Sequence, residues 1–510
     1  MKKLHWSTVT KLIALSLFLL LITAACSNDA GDQPGQAGQD GVEGNAPAGP
    51  LDIKIIMHFD GIEFPQAGNP VETAMEEYTN TELTIEAAPG SVTAEKLPAI
   101  VASGDMPQVI GSSWFKDPYM INAFRGDVFW EIGPYLEDFP NLASINPIIY
   151  NNISIDGKIY GLPRVRPLAR DVYIYRKDWL DHLGLEEPKT VEDFYEMLRA
   201  FTYDDPDNNG QDDTYGMAVS GVGMQNRFGP LYGSPNNWEE RDGQFVHAVT
   251  TPEYLDGLNF FKKLYDDKLI SRDFAVLQRA QWEEAFTSGK AGVWPDTSNA
   301  IVRMYNRMKE STPGVELGAF SLFEGPYGNR VPAGGGHNGI FVFPKSSIKT
   351  EEELRQILGF FEKLQEEQMH TLFKWGVEGT HYELVDGKPV PIEGSDIHND
   401  VILPYRLPLG IIPAEVNALQ GDITELEILE ERLPIENEPY AIHDAAINLI
   451  SPTQSERGAQ LNTMITDVNT KYIMGELDEA GWLEEIEKWR SAGGDLVAQE
   501  YSEEAGKVQK

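Results

Sequence analysis

The sequence predicts an α/β protein of two lobes, each a sheet flanked by helices. Two observations point to this class. Strand and helix signals alternate in the order β-α-β-α-β, which implies parallel strands with helices on both faces. The same alternation recurs in the second half of a 510-residue chain, which is long enough for two or more cores. In order, "LDIKIIMHF" (Leu51 to Phe59) alternates apolar and polar residues as a strand does. "NPVETAMEEYTN" (Asn69 to Asn80) follows as a helix, and "TELTIEAA" as the next strand. "SVTAEKLPAIVASGD" (Ser91 to Asp105) reads as a helix stopped by Gly104, and "PQVIGSS" as a buried strand. Ligands of open parallel sheets bind beyond the C-terminal strand ends, and Trp114 stands directly after this strand. In the second half, "DVYIYRKDWLDHLG" (Asp171 to Gly184) runs from strand into a helix stopped at Gly184. The next helix opens with Thr190 as N-cap and Asp193 three residues on, the pattern of a capping box. Its Val191, Phe194, Leu198 and Phe201 fall on one face. "EEAFTSGKAGVWPD" (Glu283 to Asp296) predicts helix, Gly stop, strand and then Trp294. "GGGHNGIFVFPKS" supplies another buried strand, and "TEEELRQILGFFEKLQ" a long amphipathic helix.

The two ends of the composition exclude some partners. A formal net charge of −39 argues against nucleic acid, whose phosphates would be repelled. The first residues read as a targeting segment: Lys2, Lys3 and Lys11, then the apolar run "LIALSLFLLLI", then "TAAC". The run is about half the roughly 20 residues that a spanning helix needs. Cys26, the single cysteine, closes it, so no disulfide can form within one chain. This pattern resembles a bacterial lipoprotein signal peptide, residues 1–25, with lipid such as palmitate carried on Cys26; Thr23 stands where that motif usually has Leu. The alternatives are a plain signal peptide or an N-terminal anchor. Ser27 to Pro50 is rich in Gly, Pro, Gln and Asp and cannot bury enough surface to order itself. As a coil it would reach about 25–30 Å on average.

Several segments match one family. "IVASGDMPQVI" (Ile100 to Ile110), "IDGKIYGLPR" (Ile155 to Arg164) and "IYRKDWLDHLGLEEPKTVEDFYEML" (Ile174 to Leu198) occur in order. They are followed by "FTSGKAGVW", "FKWGVEGTHYELVDGKPV" and "WLEEIEKWRSAGGD". With the lipoprotein-type start, the chain resembles the solute-binding lipoproteins of bacterial carbohydrate ABC importers, in the long branch that includes alginate-binding proteins. The resemblance implies a periplasmic-binding-protein type II-like fold with the ligand between the lobes. It implies residues 51–165 plus about 330–405 in one lobe, and about 166–329 plus about 406–500 in the other. It also implies a monomer held by its lipid outside the cell membrane of a Gram-positive bacterium, which delivers an oligosaccharide to permease subunits by cleft closure.

Sugars offer C–H faces to aromatic rings and hydroxyls to fixed polar groups. Trp114, Trp238, Trp294 and Trp375 are the candidate stacking rings, each with core packing as the alternative. The resemblance places Trp294 and Trp375 at the cleft. Trp482 and Trp489, seven apart in an amphipathic helix, read as core. "GGGHNG" lets backbone approach a ligand and offers His337 and Asn338. Arg164 and Asp296 are candidate hydrogen-bonding partners, Arg164 equally a structural ion pair. "RVRPLAR" (Arg164 to Arg170) is either a cleft for an anionic sugar or a basic crossover balanced by nearby acids.

"DPDNNGQDDTYG" (Asp205 to Gly216) supplies oxygens at positions 1, 3, 5 and 9, from Asp205, Asp207, Asn209 and Asp213. Gly210 falls at position 6, and Gln211 at 7 would give its carbonyl, as in a calcium loop. Position 12 is Gly216, so the bidentate Glu of a full EF-hand is missing. The resemblance implies a structural Ca²⁺ here, although Thr214 stands where relatives carry an acid; a metal-free turn is the alternative. No HExxH, GxSxG or dinucleotide fingerprint occurs, and with 80 acids a pair of carboxylates at glycosidase spacing decides nothing. A binding protein is therefore expected rather than an enzyme, with a glycoside hydrolase or a ligand-presenting sensor for a receptor kinase as alternatives.

Overall fold

Two mixed sheets organise the chain in a computed structural model that describes residues 49–508, apart from 60, 62, 222–224 and 414–416. The targeting segment, Cys26 and nearly all of the coil after it lie outside the described residues. Among the described residues, no helix is long and apolar enough to cross a membrane.

The strands are, in chain order, β1 (Leu51–His58), β2 (Thr81–Ala88), β3 (Val109–Ser112), β4 (Gly161–Val165), β5 (Asp171–Arg176), β6 (Tyr215–Met217), β7 (Trp238–Arg241) and β8 (Gln244–His247). They continue as β9 (Ala291–Thr297), β10 (Leu317–Phe320), β11 (Val331–Pro332), β12 (His337–Val342), β13 (Tyr382–Val385), β14 (Lys388–Pro391) and β15 (Ala441–Ile442). The first sheet has the order β2-β1-β3-β12-β4, and the second β10-β5-β9-β6. As the β-α-β-α-β pattern requires, β1 pairs parallel with both β2 and β3. The late strand β12 enters antiparallel between β3 and β4. Each sheet is therefore mixed, with β5 antiparallel to β9 and β10 and β6 parallel to β9.

Local chemistry explains the helices that hold these sheets. Asn69 accepts from Val71 N and Glu72 N to start the helix Pro70–Thr79, and Asn80 ends it in the left-handed region at φ 58°. Gly104, at φ 74°, stops Gly90–Ser103. Thr190 and Asp193 form the capping box of Val191–Tyr203, and Val191, Phe194, Leu198 and Phe201 are all buried. Gly292 lets that helix lie against β9, because a Cβ there would sit 2.2 Å from the Phe201 ring.

The first core gathers Ile53, Ile55, Val109, Phe341, Phe361 and Tyr405 around the first sheet. The second sheet separates two further clusters, one around Phe194, Phe261 and Trp482, the other around Phe286, Trp294 and Met304. Trp482 and Trp489 are 1% and 3% exposed, core positions as their heptad spacing predicts.

The chain crosses between the sheets at residues 166–170 and again between β10 and β12. Two buried or half-buried amides tie these crossings. Asn437 donates to the carbonyls of Ala169 (2.9 Å) and Asp171 (3.3 Å) and accepts from Ser321 Oγ (2.5 Å). Asn236 donates to the carbonyls of Ala333 (2.7 Å) and Ile442 (2.8 Å), joining the short pair β11–β15.

Candidate functional site

A hollow of about 680 Å³ opens where the two halves face each other, within the range of small-molecule sites. One wall comes from the first sheet: Ser113 and Phe115 to Pro118, which follow the C-terminal end of β3, with Gly335 and His337 at the entry to β12; Trp114 is not among the lining residues. The other wall carries Asn237, Trp238, His247, Asp444, Ile447, Leu449, Ile450, Gln454 and Asn462. This is the position that parallel strand ends predict for a ligand.

Lys116 spans the hollow. Its Nζ donates to the carbonyl of Asn152 (3.1 Å) on its own side and to that of Ile447 on the other. Burial lowers its pKa to about 8, against the pull of the Asp444 carboxylate. Asp444 is in turn pushed up to about 6 by burial, although Ala446 N, Asn237 Nδ2 and Lys116 all favour its charged form. His337 stacks edge-on against Phe115 at 5.4 Å, and burial, then the Lys116 charge, lowers it to about 4. His247 lies 4.6 Å from the Trp238 ring and is lowered to about 3 by burial. Both imidazoles are thus neutral at pH 7, and a neutral imidazole can donate or accept hydrogen bonds to hydroxyls.

The predicted site residues divide. Trp114 is half-buried after β3, its ring 5.9 Å from His58, and it is the one of the four candidate tryptophans that keeps an accessible face. Trp238 lines the hollow at 7% exposure, wedged between His247 and Tyr501. His337 lines it as well, and Asn338 beside it is exposed.

Trp294 is a correction. It lies inside β9 rather than after it and is fully buried between Trp282 and Phe286, so no ring face can meet a sugar. Trp375 is a second correction. It ends the helix Glu367–Trp375, is 9% exposed, donates from Nε1 to Leu419 O at 2.8 Å, and packs beneath Gly421. Arg164 is 2% exposed and donates to a His58 ring nitrogen (3.0 Å) and to Leu407 O (3.1 Å). Asp296 is held by Arg279 Nη2 at 2.5 Å, with Arg303 at 3.7 Å.

Those ion pairs belong to a cluster of charges where β5 begins and β9 ends. Arg227 bonds the carbonyls of Val172 and Asp296 and pairs with Asp171 at 3.2 Å. Glu283 is held by Arg279, Arg303 and Arg307. The buried Trp294 ring underlies two of these guanidinium groups, at 5.4 and 5.6 Å.

The Asp205–Asp213 loop folds on itself at the far end of the helix Val191–Tyr203. Asp205 accepts from Asn209 N and Gly210 N, and Gln211 N donates to Asn209 Oδ1. Asp207 and Asp213 both converge on Asn209 Nδ2, at 2.8 and 3.3 Å. Burial, then the Asp213 and Asp205 charges, raises the Asp207 pKa against the backbone bond from Asn209. Crowded carboxylates of this kind fit a hard cation. Among the described residues, however, no three His, Cys, Asp or Glu side chains are gathered as metal ligands.

Lys116, Asp444, His247 and the segment 447–454 were not read from sequence. Lys116 follows Trp114 by two residues and carried the same signal, its place after a parallel strand. The segment 444–454 carries no motif, and only the tertiary fold brings it to the hollow.

The sequence profile of the bacterial extracellular solute-binding proteins matches residues 62–367. The chain belongs to that family. It is 38% identical over 499 residues to the polygalacturonan/rhamnogalacturonan-binding protein YtcQ of Bacillus subtilis, covering 96% of this chain and 97% of YtcQ. It is 36% identical over 464 residues to lipoprotein LipO of the same organism, covering 88% and 92%. Among solved structures, alginate-binding protein AlgQ2 without calcium ion shares the fold at a TM-score of 0.62 and 18% identity, over 90% of this chain and 98% of that one. Streptococcus pneumoniae FusA in complex with kestose does so at 0.60 and 19%, over 89% and 99%. This solute-binding protein is thus an extracellular member of a family of binders that serve transporters, not an enzyme.

Proposed function

We propose that this protein captures an acidic oligosaccharide of the galacturonan type between its lobes and hands it to an ABC importer. The hollow lined by both halves is the observation that carries the reading, because a ligand there contacts both lobes and favours the closed form. The ligand named for YtcQ supports an acidic ligand, within a chain of net charge −39. Titration calorimetry should show trigalacturonate binding, weakened as salt rises, and no binding of maltotriose. Equal binding of the two sugars would overturn the acidic reading.

The protein acts as a monomer, leashed through lipid on Cys26 to the outer face of a Gram-positive membrane. The cysteine at the end of the targeting segment and the likeness to LipO support this. Intact mass of the membrane-extracted protein should begin at a diacylated Cys26; a retained Met1 would sink the idea. Asp205, Asp207, Asn209, Asp213 and the Gln211 carbonyl hold a structural Ca²⁺, supported by the convergence of Asp207 and Asp213 on one atom. Calcium would supply charge neutralisation there, and EDTA should lower the melting temperature. An unchanged melt would exclude the site.

A further inference from the structure

We infer that a chamber adjoining the hollow takes a neutral sugar unit at one end of the bound saccharide, whose other units carry the carboxylates. The inference rests on the acidic-ligand reading above and narrows it to a saccharide of mixed charge. The chamber measures about 210 Å³ and lies within the second half, between residues 226–254 and one face of the helix Pro452–Ile473. At about 30 Å³ per liquid water it has the volume of about seven waters, room for one monosaccharide unit and not two. Asn237, His247 and Asn462 line both the chamber and the hollow. The two asparagines are exposed, so a saccharide lying in the hollow enters the chamber past them.

Charge divides the two cavities. Lys116, Asp117 and Asp444 all line the hollow. Among the described residues, no Asp, Glu, Lys or Arg lines the chamber. A carboxylate placed there would lose water without gaining a cation, which is costly. An uncharged ring meets no such cost.

The chamber's hydrogen-bonding groups suit hydroxyls. Asn236 donates from Nδ2 to the carbonyls of Ala333 and Ile442, and Asn237 to Asp444 at 3.2 Å, so each keeps its amide oxygen as an acceptor. His247 Nδ1 accepts from Val249 N at 3.1 Å, so the neutral ring carries its proton on Nε2 and donates from there. Asn462 and Thr466 stand one turn apart on the helix, and among the described residues no hydrogen bond engages either side chain. Pro230 and Ile465 add apolar surface for the C–H face of a ring. A hydroxyl both donates and accepts, so this mixture serves it. A carboxylate only accepts, and two of these groups are themselves acceptors.

The test is titration calorimetry on the full chain with trigalacturonate and its two analogues in which the carboxyl of the reducing or the non-reducing end is replaced by CH₂OH. Wild type should bind one analogue, and only one, about tenfold or more tighter than trigalacturonate, the span of an uncompensated charge. Asn462→Lys puts a cation at the chamber and should shift the preference towards trigalacturonate. Asn462→Ala should weaken the favoured analogue by about threefold to tenfold and leave trigalacturonate nearly unchanged. Asn462 is exposed, so both variants should melt as wild type does. If wild type binds trigalacturonate and both analogues equally, the inference is overturned while the acidic reading stands. An equal gain for both analogues would overturn it too, since that marks a general preference for lower charge. So would an Asn462→Lys variant with the wild-type preference. A wild type that binds none of these sugars would overturn the acidic reading itself, and this inference with it.

Discussion

The single side chains show how far residue type alone can mislead. Trp114 and Trp294 both follow or sit in strands that point to the cleft, yet only Trp114 keeps an accessible face, and Trp294 is at 0% exposure. Trp294→Ala should therefore cost about 3–5 kcal/mol in chemical denaturation. Trp114→Ala should lower sugar affinity in calorimetry with a far smaller loss of stability. Asp444 gives a prediction in pH. Its folded pKa, raised to about 6 by burial, lies above the unfolded value, so the folded state binds the proton more tightly. Its contribution to stability is then greatest below about pH 4, falls as pH rises through about 6, and is flat above. Asp444→Asn removes that titration. The wild-type advantage in unfolding free energy over this variant should shrink by about 2 kcal/mol between pH 4 and pH 6, and then stay constant. A difference that stays level across that window would show that Asp444 does not titrate there.

At the scale of elements, periodicity and caps made most of the fold legible. The helix Val191–Tyr203 was readable because Thr190, Asp193 and the apolar face act within a few residues of one another. Thr190→Ala should cost about 1 kcal/mol in unfolding free energy, read by denaturant titration. The same helix delivers the chain to the Asp205–Asp213 loop, so fraying it at its start should leave the proposed Ca²⁺ binding of that loop almost unchanged. The antiparallel entry of β12 was not readable, since "GIFVF" is buried and apolar in either direction. Nor was the end of the helix at Trp375, because the Gly376 that stops it was read as part of a cleft block. Alternation shows that a residue lies in a strand, but which face meets the core depends on what packs there. That is why Trp294 was placed wrongly while Trp482 and Trp489, with a helical repeat to fix their face, were placed correctly.

Across the whole molecule, the proposed capture requires the halves to close about their crossings. A ligand that contacts both walls of the hollow should reduce the radius of gyration in small-angle scattering, and trigalacturonate is the sugar to use. A scattering profile unchanged at saturation would mean that closure does not accompany binding. The strand order also constrains how the protein is made. Within the first sheet β4 pairs only with β12, and β12 arrives after the whole of the second sheet. A chain that folds as its N-terminus emerges thus carries β3 and β4 with open edges until residue 342 has followed. During that interval the unfinished half exposes backbone donors and acceptors to any neighbouring strand. The rate at which the chain is delivered and its protection from aggregation are therefore linked by topology, and a chain cut before β12 is expected to aggregate rather than fold as a smaller lobe.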